Sequence, residues 1–233
     1  MVEGGNPASL SIVIPTFNEA GTIEQTLAHL KAITQNIEII VVDGGSQDAT
    51  EQIAVSFGVT VLTNTDGRAA QLNQGASAAQ GKRLLFLHAD TFLPDNFAAY
   101  VEITLAQPGV IMGAFELQIA GPNPGLRWVE QAVNWRSRWL QLPYGDQALF
   151  LERETFWAAG GFPNQPIMED FILVQQLKQR GMIALAPAAV ITSGRRWHKL
   201  GVCRTTLFNQ AMIIGYYLGV SPERLSRWYR QQR

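Results

Sequence analysis

Residues 10–15, "LSIVIP", are apolar at nearly every position, rich in β-branched side chains and stopped by Pro15. Such a short run predicts a strand. The next stretch, 19–33, sets Ile23, Leu27 and Leu30 at helical spacing. The same exchange of periods then repeats along the chain. "IEIIVVD" (37–43) reads as a strand, 47–58 as a short helix stopped by Gly58, and "VTVLTN" (59–64) as a strand. Residues 68–81 form an alanine-rich helix, and "RLLFLHAD" (83–90) is a fourth strand. Strands this continuously apolar, separated by helices, predict a mostly parallel sheet covered on both faces, as in Rossmann-like α/β folds. Ligands of such sheets sit beyond the carboxyl ends of the strands. Those ends carry Thr16 to Glu19, Asp43 to Ser46, Thr63 to Asp66, and His88 to Asp90.

The second half changes character near residue 100 without a linker. "VIMGAFELQIA" (110–120) reads as a longer strand, followed by the turn-rich "GPNPG". Residues 126–142 form a helix with Trp128, Ala132, Trp135, Trp139 and Leu142 on one stripe. "QALFLE" is a strand, and "EDFILVQQLKQRG" is a helix opened by Glu169 and Asp170. "MIALA" and "AVITS" are two short strands. The chain is helical after "GRRWHKLG", with Ser221-Pro222 opening the last helix. One domain over 1–233 is expected, built from halves of about 1–100 and about 101–233.

Composition narrows the class. With 233 residues, 47% hydrophobic and 16% charged, fibrous and disordered chains are excluded. The one cysteine, Cys203, fits a reducing compartment and is expected to be a small buried apolar residue. The N-terminal "MVEGGNPASLS" has no signal-peptide character, and no apolar run reaches about 18 residues. A cytoplasmic protein, soluble or peripheral at the inner face of the membrane, is expected. The net charge of −1 hides an asymmetry. Residues 195–233 hold eight Lys or Arg against Glu223, a charge of +7, which leaves −8 on residues 1–194. A basic tail suits phosphates or an anionic membrane surface, and equally a plain solvated face. The tryptophan stripe is expected to pack on the sheet or wall an acceptor pocket. The competing reading, with Arg127, Arg136 and Arg138 nearby, is a bilayer-interface face.

The chemistry lies in the loops. The first turn, "PTFNEAG", lacks the Gly-x-Gly-x-x-Gly of dinucleotide folds, and no P-loop lysine occurs. Thr16, Asn18 and Glu19 instead offer hydrogen bonds to a base or ribose. Asp43, followed by Gly44 and Gly45, can accept from a base N–H or ribose hydroxyl, or serve as a plain turn and helix cap. Asp90 is a hard oxygen ligand suited to a divalent cation on a diphosphate. His88 is read on the same side of an extended strand as Asp90. Glu169 and Asp170 follow a Gly- and Pro-rich loop, a setting for a general base. "RRWHKLG" concentrates cationic groups suited to phosphate oxygens.

Together these segments resemble the family 2 glycosyltransferases, inverting enzymes of the GT-A fold that use nucleotide-diphosphate sugars. "SIVIPTFNEAGTIEQTL" is similar to the family's opening strand, loop and helix. "EIIVVDGGSQDAT" resembles its "VVDDGSxDxT" stretch, with Gly44 where a second acid often stands. "FLHAD" takes the place of its Asp-x-Asp metal motif, and "PIMEDFILVQQLKQRG" resembles its Glu-Asp helix. "GDQALFLERETFWAAGGFP" resembles its acceptor-side segment. The likeness extends to the branch named for association with radical-SAM and selenium-domain proteins.

The resemblance implies roles. Pro15, Thr16, Phe17, Asn18 and Glu19 would line the nucleoside pocket, with Asp43 at the base and Gly44 beside it. Arg68 would lie near base or phosphates, and His88 and Ala89 beside the nucleotide. Asp90 would hold Mg2+ or Mn2+, and Asp170, with Glu169 next to it, would be the base. Arg195, Arg196 and Trp197 partly match a Gln-x-x-Arg-Trp motif of processive members and would serve diphosphate and acceptor. The missing glutamine argues against processive synthesis. His88 stands where many members have aspartate, which implies weak metal affinity without nucleotide. The implied partners are a UDP-linked sugar donor and a hydroxyl acceptor, with lipid or lipid-linked molecules among the acceptor classes and no nucleic acid. A nucleotidyltransferase and a non-catalytic sugar- or nucleotide-binding module are the competing readings.

Overall fold

The computed structural model describes residues 9–33 and 37–231. Most of the N-terminal stretch read for targeting signals lies outside these residues, as does Arg233 of the basic tail. Eight strands form one sheet: β1 (Leu10–Thr16), β2 (Glu38–Asp43), β3 (Thr60–Thr63), β4 (Arg83–Phe86), β5 (Thr91–Phe92), β6 (Val110–Ile119), β7 (Phe150–Glu152) and β8 (Met182–Thr192). Their order is β3-β2-β1-β4-β7-β6-β8-β5. The first four are parallel, as the βαβ alternation predicts. Beyond β4 the sheet is mixed. β7 runs antiparallel to β4 and β6, β8 parallel to β6, and β5 antiparallel to β8.

The helices are α1 (Ala20–Ile33), α2 (Thr50–Ser56), α3 (Arg68–Ala78), α4 (Phe97–Leu105), α5 (Gly125–Trp139), α6 (Arg153–Ala158), α7 (Glu169–Lys178), α8 (Arg195–Leu200), α9 (Val202–Tyr217) and α10 (Pro222–Arg230). The apolar runs are continuous because both sheet faces are covered. Leu10, Ile12 and Ile14 of β1 join the core cluster that holds Ile23, Leu27 and Leu30 of α1. Val13, on the opposite face, joins Ala69, Leu72 and Ala76 of α3. Successive side chains point to opposite faces, so each strand feeds two cores.

Several expectations need correction. "MIALA" and "AVITS" are one strand, β8, whose pairing with β6 shifts register between Ala114 and Glu116. "RRWHKL" is itself the helix α8. α4 and α6 were not foreseen, because each is short and lacks a clear polar–apolar period. Cys203 is exposed rather than buried.

The largest correction concerns α5. Trp128, Trp135 and Trp139 do not pack on the sheet; they are 76%, 59% and 69% exposed. The inward face of the helix is mixed: Leu126, Val129 and Val133 pack on the core, and polar side chains beside them reach the β6 edge. Asn134 Oδ1 accepts from Leu117 N at 2.7 Å, and its Nδ2 donates to Leu117 O at 3.1 Å. Glu130 Oε1 accepts from Ile119 N at 2.5 Å, and Arg127 donates to Ile119 O at 2.6 Å. Gln147 adds a bond to Phe115 O at 2.9 Å. β7 pairs with β6 only at Met112 and Gly113. Side chains therefore replace a strand along the rest of that edge, as buried backbone groups require.

A tight contact fixes α3 on the sheet. A Cβ built at Gly75 would collide with Val13 Cγ1 and stand 3.1 Å from Val42 Cγ2. Alanine improves helix propensity by about 1 kcal/mol, but both neighbours are stiff, β-branched strand residues. Gly75→Ala is expected to destabilise the fold by about 1–3 kcal/mol net, read as a lower urea midpoint at unchanged slope.

Candidate active site

The strand ends of the parallel half are tied together by buried polar groups. Gln71 of α3 donates from Nε2 to Thr16 O at 2.9 Å and to Val42 O at 2.8 Å. It clips the tops of β1 and β2, a role the sequence reading missed. Gly44 N donates to Thr16 O at 2.8 Å, and a Cβ there would meet Gln71 and Thr16 O at 3.1 and 3.2 Å. A side chain at 44 would therefore press on this clip by a few tenths of an ångström.

Asp43 was expected at the base. Its carboxylate is buried and accepts from Thr16 Oγ1 at 3.0 Å, Ser46 Oγ at 2.5 Å, Gly45 N at 2.9 Å and Ser46 N at 2.7 Å. Four donors satisfy both oxygens, so Asp43 shapes the loop. Asn18, in the left-handed region, is likewise engaged: its Oδ1 accepts from Gln47 N and its own N–H bonds Ser46 Oγ, both at 2.8 Å. Phe17 is the large apolar side chain exposed in this loop pair, at 56%.

Two of the expected residues diverge. β4 ends at Phe86, and His88 to Thr91 make a turn closed by Thr91 N to His88 O at 3.2 Å. His88 and Asp90 therefore do not share a strand face. Ala89 between them is buried, its carbonyl taken by Thr26 Oγ1 at 2.8 Å.

His88 Nε2 contacts Arg68 Nη2. Arg68 Nε lies 3.0 Å from Glu169 Oε1, an ion pair without hydrogen-bond alignment. Asp170 Oδ2 accepts from Gly145 N at 2.6 Å, and its Oδ1 from Phe171 N at 2.7 Å. Pro15, Arg68, His88, Gly145 and Asp170 line one small cleft with room for about one water. A Cβ at Gly145 would sit 2.8 Å from Asp170 Oδ2 and 3.3 Å from both Arg68 Nη2 and His88 Nε2. Met168 and Ala148 beside this cluster both have positive φ, at 68° and 48°. Strain of this kind marks places that the surroundings over-determine. Burial pushes the Glu169 carboxyl up, and Asp170 adds to that rise against the pull of Arg68.

On the other side, Arg195 Nη2 sits 3.0 Å from both Asp90 Oδ2 and Glu19 Oε2. Burial alone would lower its pKa, but the two carboxylates raise it. Beside Asp90 lies an open pocket of about 210 Å³ lined by Thr22, Gln25, Phe92, Ile191 and Ser193. Arg196 and Trp197 face elsewhere. Arg196 donates to Tyr229 OH at 2.6 Å and stacks 4.3 Å above that ring, fastening α10. Trp197 packs against the core under the sheet. Of this trio, expected to serve diphosphate and acceptor, Arg195 alone meets Glu19 and Asp90, because α8 directs the next two side chains to Tyr229 and the core.

A divalent cation was expected at Asp90. Among the described residues no three His, Cys, Asp or Glu side chains gather to hold a metal ion. The donor set fits a hard cation that takes one carboxylate from the protein and its other oxygens from a bound phosphate.

Asp146 is a further acid here that the sequence reading did not single out. It sits in the 3-10 turn Gly145–Gln147, and its Oδ1 is buried without a hydrogen-bond partner. Burial, with Asp170 adding and Arg136 opposing, pushes its pKa up to about 6. The lone acid in "YGDQALF", just before an apolar strand, was the available signal. A raised carboxyl pKa means that the folded state holds its proton longer than the unfolded one. Its stability contribution therefore falls as pH rises from about 4 to about 6, and is flat above. Asp146→Asn is expected to be more stable than wild type at pH 7 by about 1–2 kcal/mol, after discounting for partial exposure of the residue. The gap should close below pH 4 in urea melts run across pH.

The model of glycosyl transferase family 2 matches residues 11–147. A glycosyltransferase of Rickettsia prowazekii is 35% identical over 99 residues, 40% of this chain and 31% of that protein. Glycosyltransferase GlyG of Streptococcus pneumoniae is 31% identical over 116 residues, 46% and 38% of the two chains. The matches thus span about a third of these relatives' length. Among solved structures, the mannosyltransferase PcManGT of Pyrobaculum calidifontis, in complex with GDP-Man and Mn2+, superposes with a TM-score of 0.64 at 21% identity, covering 90% of this chain and 65% of that one. S. aureus TarS with UDP-GlcNAc gives 0.60 at 16%, over 79% and 58%. The fold is that of the GT-A glycosyltransferases, and the chain belongs to glycosyl transferase family 2.

Proposed function

We propose that the chain is an inverting, metal-dependent glycosyltransferase moving a sugar from a UDP-linked donor to a hydroxyl acceptor. The observation that carries this reading is the Asp170 carboxylate, held by two backbone amides at the rim of the parallel strand ends. The loops 16–19 and 43–46 shape the nucleoside pocket, with Pro15 and Thr16 in its floor and the exposed Phe17 ring offered to the base. Glu19 orients Arg195, whose guanidinium turns from the two carboxylates to the donor's phosphate oxygens. Mg2+ or Mn2+ at Asp90, when bound, neutralises charge on the diphosphate leaving group.

Asp170 accepts the acceptor's proton as that oxygen attacks the anomeric carbon. The bond to the diphosphate breaks, its electron pair leaves with the phosphate, and configuration inverts. Arg68 and His88 brace Glu169 and the sugar-side rim. TarS, crystallised with UDP-GlcNAc, supports a UDP donor, and PcManGT, crystallised with Mn2+, supports the cation. The two halves, about 1–100 and 101–233, then act as donor and acceptor sides of one domain.

Asp170→Asn is expected to retain UDP binding and to lose at least about 100-fold in turnover. Retained turnover with a defined acceptor moves the base to Glu169. Asp90→Ala is expected to abolish the gain in UDP affinity that Mn2+ confers, with the thermal melt unchanged. Equal UDP affinity with and without Mn2+ in the wild type, by calorimetry, removes the metal from the reading.

A further inference from the structure

We propose that the outer faces of α5 and α9, rimmed by the basic face of α10, dock on an anionic bilayer surface and present the site to a lipid or lipid-linked acceptor. The acceptor half of this statement rests on the transfer reading above; the docking half does not. The α5 face cannot turn inward. Its polar side is bonded to the β6 edge through Arg127, Glu130 and Asn134. That leaves three indole rings standing in solvent.

α9 repeats the pattern. It buries Thr205, Met212 and Gly215, while Leu207, Ile214 and Leu218 stand out, 70%, 57% and 78% exposed. Intervals of seven and four put these three on one stripe. Tyr217, 64% exposed, extends it. The two helices belong to one surface. They start together, with a Cβ at Gly125 of α5 3.5 Å from Val202 of α9. They also end on the same helix. Lys178 of α7 donates to Leu140 O just past α5, and Gln175 of α7 donates to Tyr217 OH of α9. α7 begins with Glu169 and Asp170, and its Phe171 ring meets Tyr144, Tyr216 and Tyr217. Tyr217 of the exposed stripe thus packs on Phe171, the residue next to the proposed base.

Charge selects the occupant. On α5, Arg127 pairs with Glu130, Arg138 with Glu116, and Arg136 with Leu142 O and the Tyr144 ring. Those cations are committed within the protein. α10 supplies the others: Leu225 and Ser226 are buried, while Arg224, Arg227 and Arg230 are exposed beside Trp228, 42% exposed. Indole rings next to arginine suit the headgroup layer of an anionic membrane. No helix among the described residues is long and apolar enough to cross a membrane, so the proposed contact is with the surface.

The test is co-sedimentation of the full chain with vesicles of phosphatidylcholine alone or with 30% phosphatidylglycerol. Binding is expected only to the anionic vesicles, at low salt, with release at high salt and a blue shift of tryptophan emission. Replacing Arg224, Arg227 and Arg230 by Gln should weaken binding at least about 10-fold. Replacing Trp128, Trp135 and Trp139 by Gln should weaken co-sedimentation with the anionic vesicles at least about 10-fold. Protein left in the supernatant with anionic vesicles at low salt overturns the proposal. So does a dimer, by analytical ultracentrifugation, that the tryptophan variant dissociates while vesicles bind neither form. Hydrolysis of UDP-glucose without vesicles separates the two readings: if it is absent while vesicle binding persists, the transfer reading falls and the docking surface stands.

Discussion

The bond from Gly145 N to Asp170 Oδ2, at 2.6 Å, joins what the chain otherwise keeps apart. Gly145 opens the turn that leads into β7, the antiparallel strand stitching β4 to β6. Asp170 lies in the first turn of α7, which packs in the core cluster that also holds Leu84 and Phe86 of β4. A side chain at 145 would press on Asp170, Arg68 and His88 at once. The proposed base, the arginine behind it and the end of β4 are thus held in register by one glycine amide. Positive φ at Ala148 and Met168, flanking the two partners, is the local cost of that register.

The parallel half was legible from periodicity, because a strand buried on both faces leaves no alternative to a continuous apolar run. The site was legible as positions but not as directions. His88 and Asp90 were rightly put beyond a strand's carboxyl end, yet the strand stops at Phe86, four residues early, and the turn sends them to different partners. Asp43 is a loop-shaping acid whose isolation in sequence concealed the four donors waiting for it. Arg196 and Trp197 followed a motif-based expectation, and one helical turn in α8 points them at α10 and the core instead. Gln71 was invisible in sequence because its meaning lies in what it reaches across the fold, a distance that spacing does not encode.

The misreading of α5 has a physical cause. Amphipathicity normally sends apolar residues inward, since burial of apolar area outweighs other terms. Here only a narrow apolar stripe, Leu126, Val129 and Val133, packs on the core, and beside it lies a strand edge that β7 leaves unpaired beyond Gly113. An unsatisfied buried backbone group costs about 1–3 kcal/mol, and several lie along β6. Asn134, Glu130, Arg127 and Gln147 meet them. The helix orientation is therefore set by hydrogen-bond demand, and the tryptophans take the outside.

That same logic explains the arrangement around Arg195. With two carboxylates on one guanidinium, Glu19 and Asp90 are kept from repelling each other at the mouth of the pocket. A bidentate phosphate group competes for the same fork on better geometric terms than two separate carboxylates. On the proposed reading, a diphosphate that drew Arg195 to itself would free the Asp90 carboxylate beside it. In the structure Asp90 is paired with Arg195, while His88 contacts Arg68 on the opposite side of the turn.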